Sequence, residues 1–188
     1  MGNVKTIFFD IDTQLDFLYS GGALYVPGGE SIVALIAKLN GAAPLVISTV
    51  DAHTEDDPEF QIYPHHCVAG TLGQRKPAET LLDNRVVLSG RTEGARQLVL
   101  EKQKLDCFSS PHLRPLLEEL GADRYVVYGV VTEICVRCAA FGLLKTGKRV
   151  EIVTDAIRPL NEVDSENMLG GFRAAGGFLT HSSELLSH

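Results

Sequence analysis

The chain reads as an α/β protein, a three-layer α/β/α sandwich around a central parallel sheet of about six strands. Three observations predict this. Strand-like and helix-like segments alternate from one end to the other. The best strand signals, Ile7-Phe8-Phe9 and Tyr125-Val126-Val127-Tyr128, are apolar at consecutive positions, as expected of strands buried on both faces. The chain has 188 residues, enough for one domain, residues 1–188, with a full-sized core.

The elements follow in order. Val4 to Phe9 is an apolar strand. Glu30 to Leu39 has helical spacing through Ile32, Val33, Leu35, Ile36 and Leu39, and stops at Asn40-Gly41. Leu45 to Val50 is a second strand. Asp51 to Lys76 is polar, rich in His, Pro and Gly, and without a period; a loop this long in a compact domain is usually functional. Val86 to Leu88 and Leu98 to Leu100 read as short strands. Pro111 to Leu120 is a helix with an early proline and Gly121 beyond its end. The Tyr125 strand then turns through Gly129 and Thr132, a candidate N-cap, into a helix from Cys135 to Lys145. A strand at Arg149 to Thr154, a helix near Val163 to Ala175 and a short strand at Gly177 to Thr180 complete the chain. There is no internal repeat, low-complexity stretch or interdomain linker.

Seventeen basic and 24 acidic residues give a net charge of −7. An acidic surface argues against nucleic acid or an anionic membrane as partner, and no apolar run is long enough to cross a bilayer. The first twelve residues read as a strand rather than a secretory leader. The four cysteines, at 67, 107, 135 and 138, are scattered. Cys135 and Cys138 have Cys-x-x-Cys spacing but lack the turn residues of redox motifs, so the default is a reduced cytoplasmic protein.

Chemistry-bearing residues gather at strand ends, where open parallel sheets bind ligands. Cys135 falls near the first turn of a helix, which can lower a thiol's pKa; the bland alternative is a small buried hydrophobe. The run Asp10-Ile11-Asp12-Thr13-Gln14-Leu15-Asp16-Phe17 follows strand one and is either a source of catalytic carboxylates or ordinary loop solvation. Asp51-Ala52-His53, with His65-His66-Cys67 further on, offers a carboxylate and imidazoles suited to Zn²⁺ or Fe²⁺, or a polar surface loop. Lys102 and Lys104 lie in Glu101-Lys102-Gln103-Lys104-Leu105-Asp106-Cys107-Phe108 and, taken alone, are surface residues.

Together these clusters resemble the isochorismatase-like cysteine hydrolases, and among them the nicotinamidases, over nearly the whole chain. The family's Asp-x-Gln-x-Asp-Phe motif matches Asp12-Thr13-Gln14-Leu15-Asp16-Phe17, which makes Asp12 the counterpart of the catalytic aspartate and Asp10 the weaker candidate. Its Gly-x-x-Thr-Asp-x-Cys-Val motif matches Gly129 to Val136, with Glu133 in place of the usual Asp and Cys135 as nucleophile. Counting back from Phe108 gives Lys102 as catalytic lysine, with Lys104 as runner-up. The metal motifs match Asp51-Ala52-His53 and Pro64-His65-His66-Cys67-Val68, so the implied ligands are Asp51, His53 and His66. Glu59 is a further candidate ligand. The chain has no Trp, where relatives often wall the pyridine pocket with one; Phe17, Phe60 and Tyr63 are the aromatic candidates here.

The resemblance implies a thioester route for amide hydrolysis, of nicotinamide to nicotinate and ammonia. Asp12 is then the base, Lys102 holds the pair, and the backbone N–H groups of Val131 and Cys135 receive the oxyanion, beside a non-proline cis peptide at Val130–Val131. One divalent ion, zinc or iron, and no organic cofactor are implied. The partner is a small-molecule amide, and homo-oligomerisation stays open. The alternatives are another amidase of this fold acting on a carbamoyl or aliphatic amide, isochorismatase-type vinyl-ether hydrolysis, or a non-catalytic binding domain with an eroded site.

Overall fold

The computed structural model describes residues 5–88 and 94–186. Its centre is an all-parallel sheet of seven strands: β1 (Thr6–Ile11), β2 (Val46–Asp51), β3 (Arg85–Val87), β4 (Gln97–Lys102), β5 (Arg124–Val130), β6 (Arg149–Arg158) and β7 (Phe178–Thr180), in the order β3-β4-β2-β1-β5-β6-β7. This is one strand more than the roughly six expected. Both edge strands, β3 and β7, have only three residues, and short edges leave little to pair with another sheet. Val4, placed in the first strand by the sequence, lies outside the described residues.

The helices are α1 (Leu15–Leu18), α2 (Val33–Ala42), α3 (Leu113–Leu120), α4 (Arg137–Leu144), α5 (Glu162–Ala174) and α6 (Ser182–Leu185). The chain leaves β1 through α2 toward β2, and leaves β5 through α4 toward β6, in the opposite direction. Right-handed crossovers that run in opposite directions put their helices on opposite faces. On α3, Leu113, Leu116 and Leu117 are buried at helical spacing, and Gly121 ends the helix in the left-handed region at φ 57°. The predicted start at Pro111 is two residues early, and the helix at Glu30 opens with a tight 3₁₀ turn over Gly29–Ile32 before α2 begins.

The core lies on both sides of β1 and β5. Ile7, Phe9, Val126 and Val127 are fully buried, and the Phe9 and Tyr125 rings meet edge-to-face at 5.7 Å. β1 pairs with β2 on one side and β5 on the other. The reversal of connection direction between β1 and β5 opens a crevice at their carboxyl ends, where open α/β sheets take ligands. Gly129 lets the strands approach there: a Cβ on it would lie 2.1 Å from the Ile11 carbonyl oxygen, and its φ is 117°. Among the described residues no helix is long and apolar enough to cross a membrane.

Candidate active site

Four strand ends supply the site. Asp12 directly follows β1, Asp51 closes β2, Lys102 closes β4, and Cys135 follows β5. Asp51 and Lys102 are in register across the parallel pair β2–β4, so their side chains leave the same face. Lys102 Nζ lies 2.5 Å from Asp51 Oδ1 and 2.8 Å from Asp12 Oδ2. Asp12 adopts φ 49°, uncommon for a residue with a Cβ. Thr49 holds it there: the Asp12 N–H donates to the Thr49 carbonyl and hydroxyl oxygens at 3.1 and 3.2 Å, and the Thr49 hydroxyl donates to Asp12 Oδ1 at 2.6 Å. Asp12, Lys102 and Cys135 are all buried.

Burial pushes the Cys135 thiol well above its ordinary pKa; the Lys102 charge pulls it down, while the Asp12 charge and hydrogen bond push it up again. Desolvation of a thiolate decides the sign. Burial thus works against the lowering expected at a helix start. The turn carrying the thiol is also not the expected α-helical start. Thr132–Val136 forms a π-helical turn, and α4 begins only at Arg137. Thr132 provides no side-chain cap; Val131 holds the N-cap position, and the buried Thr132 hydroxyl has no hydrogen-bond partner among the described residues. The Val130–Val131 peptide is cis. For Lys102, burial disfavours the charge, but Asp12 and Asp51 outweigh it and hold the ammonium pKa well above its ordinary value.

The second cluster lies beside the first. Asp51, His53 and His66 are buried, and one ligand atom from each falls within 4.8 Å of the others. The His53 strand extension pairs with Val68, and this brings the His66 ring to 4.9 Å from His53, centre to centre. Each imidazole is oriented from behind. His53 Nδ1 is 2.9 Å from Asp57 Oδ2, and His66 Nδ1 donates to the Pro64 carbonyl at 2.7 Å. Such outer partners direct the other ring nitrogen to a metal. His53 Nε2 is buried with no hydrogen-bond partner among the described residues, which a buried polar atom rarely is. Burial also lowers the His66 pKa, with the Pro64 hydrogen bond opposing, and so favours the neutral ligating form. Burial raises Asp51 to about 6, with Lys102 opposing. The residues fit a divalent ion held by one carboxylate and two imidazoles.

The remaining sequence candidates divide. Glu59 Oε1 lies 3.8 Å from His66 Nε2, at the edge of the cluster rather than among its three close donors. His65 is exposed and stacks on Phe60 at 4.2 Å. Lys104 is exposed. Asp10 takes no part in this crevice: its carboxylate is 3.0 Å from Lys76 Nζ and accepts from Thr13, Asn40 and Ser48 in a separate buried network. Phe17 and Tyr63 line a small, mainly apolar pocket over Cys135, together with Leu24, Leu105, Val131, Ile134 and Leu160. Phe60 does not line it. Its ring is occupied by the His65 stack and by edge contacts to His53 and His66 at 5.3 and 5.7 Å.

Sequence reasoning missed the supports. Gln14 clamps the end of β2: its Oε1 accepts from the Asp51 N–H at 2.7 Å, and its Nε2 donates to the Asp51 carbonyl at 2.8 Å. Asp16 Oδ2 accepts from the Cys67 N–H at 2.7 Å and so anchors the loop carrying His66. Gly73 makes room for that carboxylate, since a Cβ there would sit 2.0 Å from it. The alternation Asp12, Gln14, Asp16 was visible, but not that the last two hold the metal-side residues.

The chain is 26% identical to the nicotinamidase of Escherichia coli over 203 aligned positions, covering 90% of this chain and 91% of that protein. It is also 26% identical to a probable inactive nicotinamidase of Arabidopsis thaliana, covering 88% and 87%. The crystal structure of the pyrazinamidase of Pyrococcus horikoshii in complex with zinc superimposes with a TM-score of 0.79 at 26% identity, covering 94% of this chain and 99% of that one. The isochorismatase domain model matches residues 6–184, and the chain belongs to that family.

Proposed function

We propose that the protein is a cysteine-dependent amidohydrolase that converts nicotinamide and water to nicotinate and ammonia. The observation that carries the reading is the placement of Lys102 Nζ between Asp12 and Asp51, with Asp51 facing the two imidazoles and lining the same pocket as the buried Cys135. A structural ion pair has no need of a buried thiol on one side and an orphaned imidazole nitrogen on the other. The nicotinamidase and the zinc-bound pyrazinamidase among its relatives favour this substrate class.

In the proposed reaction the amide carbon sits above Cys135 Sγ. Asp12 takes the thiol proton as sulfur attacks, then delivers it to the departing nitrogen, and ammonia leaves with a thioester on Cys135. A carboxylate base suits a thiol whose ionisation burial disfavours. Lys102 holds Asp12 in place and offsets the negative charge. The Val131 and Cys135 N–H groups receive the carbonyl oxygen as it becomes anionic. Water then attacks the thioester, Asp12 again taking the proton, and the thiol is restored. A divalent ion held by Asp51, His53 and His66 supplies a Lewis-acidic centre for a heteroaromatic nitrogen or a water; zinc is the first choice and iron the second. Phe17 and Tyr63 give the aromatic faces that Trp would otherwise provide.

Ammonia release from a panel of amides tests the reading. Zinc-loaded protein is expected to hydrolyse nicotinamide and pyrazinamide faster than aliphatic or carbamoyl amides. Preference for the latter would move the assignment to another amidase of the fold. No ammonia from any amide would favour the non-catalytic alternative.

A further inference from the structure

Glu133 stands two residues before Cys135 on the π-helical turn, yet its carboxylate points to a different part of the chain. Its Oε1 accepts from the Leu160 N–H at 2.9 Å and from the Asn161 N–H at 2.8 Å. These residues lie in the short connection between β6 and α5, where Asn161 is the N-cap and accepts from the Asp164 N–H at 3.1 Å. The other end of the connection is tied by Arg158, whose guanidinium donates to the Ser31 hydroxyl at 2.9 Å. Between the two ties, the Leu160 side chain reaches the pocket wall beside Ile134 and Cys135 and stays 41% exposed. An exposed leucine on a loop has little burial to hold it in place. The two hydrogen bonds from the nucleophile's own turn do so instead.

We propose that Glu133 is a positioning residue that seats Leu160 as the outer wall of the substrate pocket, so that the turn bearing the nucleophile also sets the width of its entrance. The proposal rests on the amidase reading for its kinetics but not for its geometry. Leu160 contacts the carbon frame of the substrate, and Glu133 acts only through Leu160. Loosening the wall therefore weakens binding of ground and transition states alike and leaves the chemical step intact.

The test compares Glu133→Ala, Glu133→Gln, Leu160→Ala and the double variant Glu133→Ala/Leu160→Ala in the zinc-loaded protein, after circular dichroism has checked folding. Glu133→Ala and Leu160→Ala are each expected to raise KM for nicotinamide about tenfold with kcat within about threefold of wild type, the double variant to resemble either single one, and Glu133→Gln, which keeps the accepting oxygen, to stay near wild type. A fall in kcat at constant KM in Glu133→Ala, or effects that multiply in the double variant, would overturn the proposal. A second readout needs no turnover. Alkylation of Cys135 by iodoacetamide and by the bulkier N-phenylmaleimide is followed by peptide mass spectrometry. Both alanine variants should speed reaction with the bulky reagent more than with the small one, and Glu133→Gln should not. Unchanged selectivity in Glu133→Ala overturns the proposal even if no amide proves to be a substrate. If Glu133→Ala fails to fold, Leu160→Ala and Glu133→Gln decide by the same two readouts: the proposal falls unless the first widens access and the second leaves it as it was.

Discussion

Lys102 Nζ lies 2.5 Å from Asp51 Oδ1 and thereby joins the carboxylate facing the two imidazoles to the one facing the thiol. The contact follows from strand register, since Asp51 and Lys102 are the last paired positions of β2 and β4. A single ammonium thus bridges two carboxylates, Asp12 and Asp51, inside the crevice. The thiol side and the imidazole side of the crevice are thus linked through one ammonium.

Replacing Lys102 by Met should therefore do more than remove a positive charge near the thiol. With the ammonium gone, Asp12 and Asp51 face one another and one of them takes up a proton. The expected loss in kcat is at least about 100-fold, the scale of a missing acid–base partner. Lys102→Arg should not restore it, because a planar guanidinium does not fit a site built around a compact ammonium. Steady-state ammonia release measures both. Activity near wild type in Lys102→Met would contradict the role given to this residue.

Metal binding should weaken in acid. Burial raises Asp51 in the metal-free protein from 3.8 to about 6. Because the folded value lies above the unfolded one, the protonated carboxyl stabilises the metal-free fold at low pH, and this contribution is lost as the pH rises through about 6. A divalent ion needs the carboxylate and competes with that proton. Zinc affinity is expected to fall by up to about tenfold per pH unit below about 6 and to level off above it, as far as Asp51 governs it. Competition with a chelator across this range reads the profile; a flat one would contradict it.

His66→Ala and His65→Ala should separate cleanly. His66 is buried beside His53, whereas His65 is exposed and stacked on Phe60. The first variant should lose most of its bound zinc and its amidase activity, and the second should keep most of both. Elemental analysis alongside the activity assay decides. Equal losses, or full activity after exhaustive chelation, would remove the metal from the mechanism.

The Asp10–Lys76 pair should matter for stability instead. Both side chains are buried and 3.0 Å apart, and Asn40 links Asp10 to the Tyr128 hydroxyl. Lys76→Met leaves Asp10 buried without its counter-charge and should cost about 3–5 kcal/mol in urea denaturation. A change below about 1 kcal/mol would show that neutral hydrogen bonds alone hold the network.

The architecture was legible because strand and helix alternate and because β1 and β5 are apolar on both faces. The resemblance of the chain's motifs to the family's pointed to Asp12, Lys102, Cys135, Asp51, His53 and His66, which the fold brings into one crevice. What stayed hidden depends on contacts between distant segments. Phe60 looks like a pocket aromatic until the His65 stack is seen. Leu160 and Glu133 meet only through the connection after β6, and no local period marks it. The thiol's raised pKa comes from burial by the whole fold, which outweighs the local effect of a helix start.

The central claim is that Cys135 attacks the amide. The most direct measurement is ammonia release from nicotinamide by Cys135→Ala, loaded with zinc to the wild-type content and folded by circular dichroism. The account predicts a loss of at least about 1,000-fold, since the acyl intermediate forms on the Cys135 sulfur. Activity within about tenfold of wild type would contradict it and assign the chemistry to a water-only route.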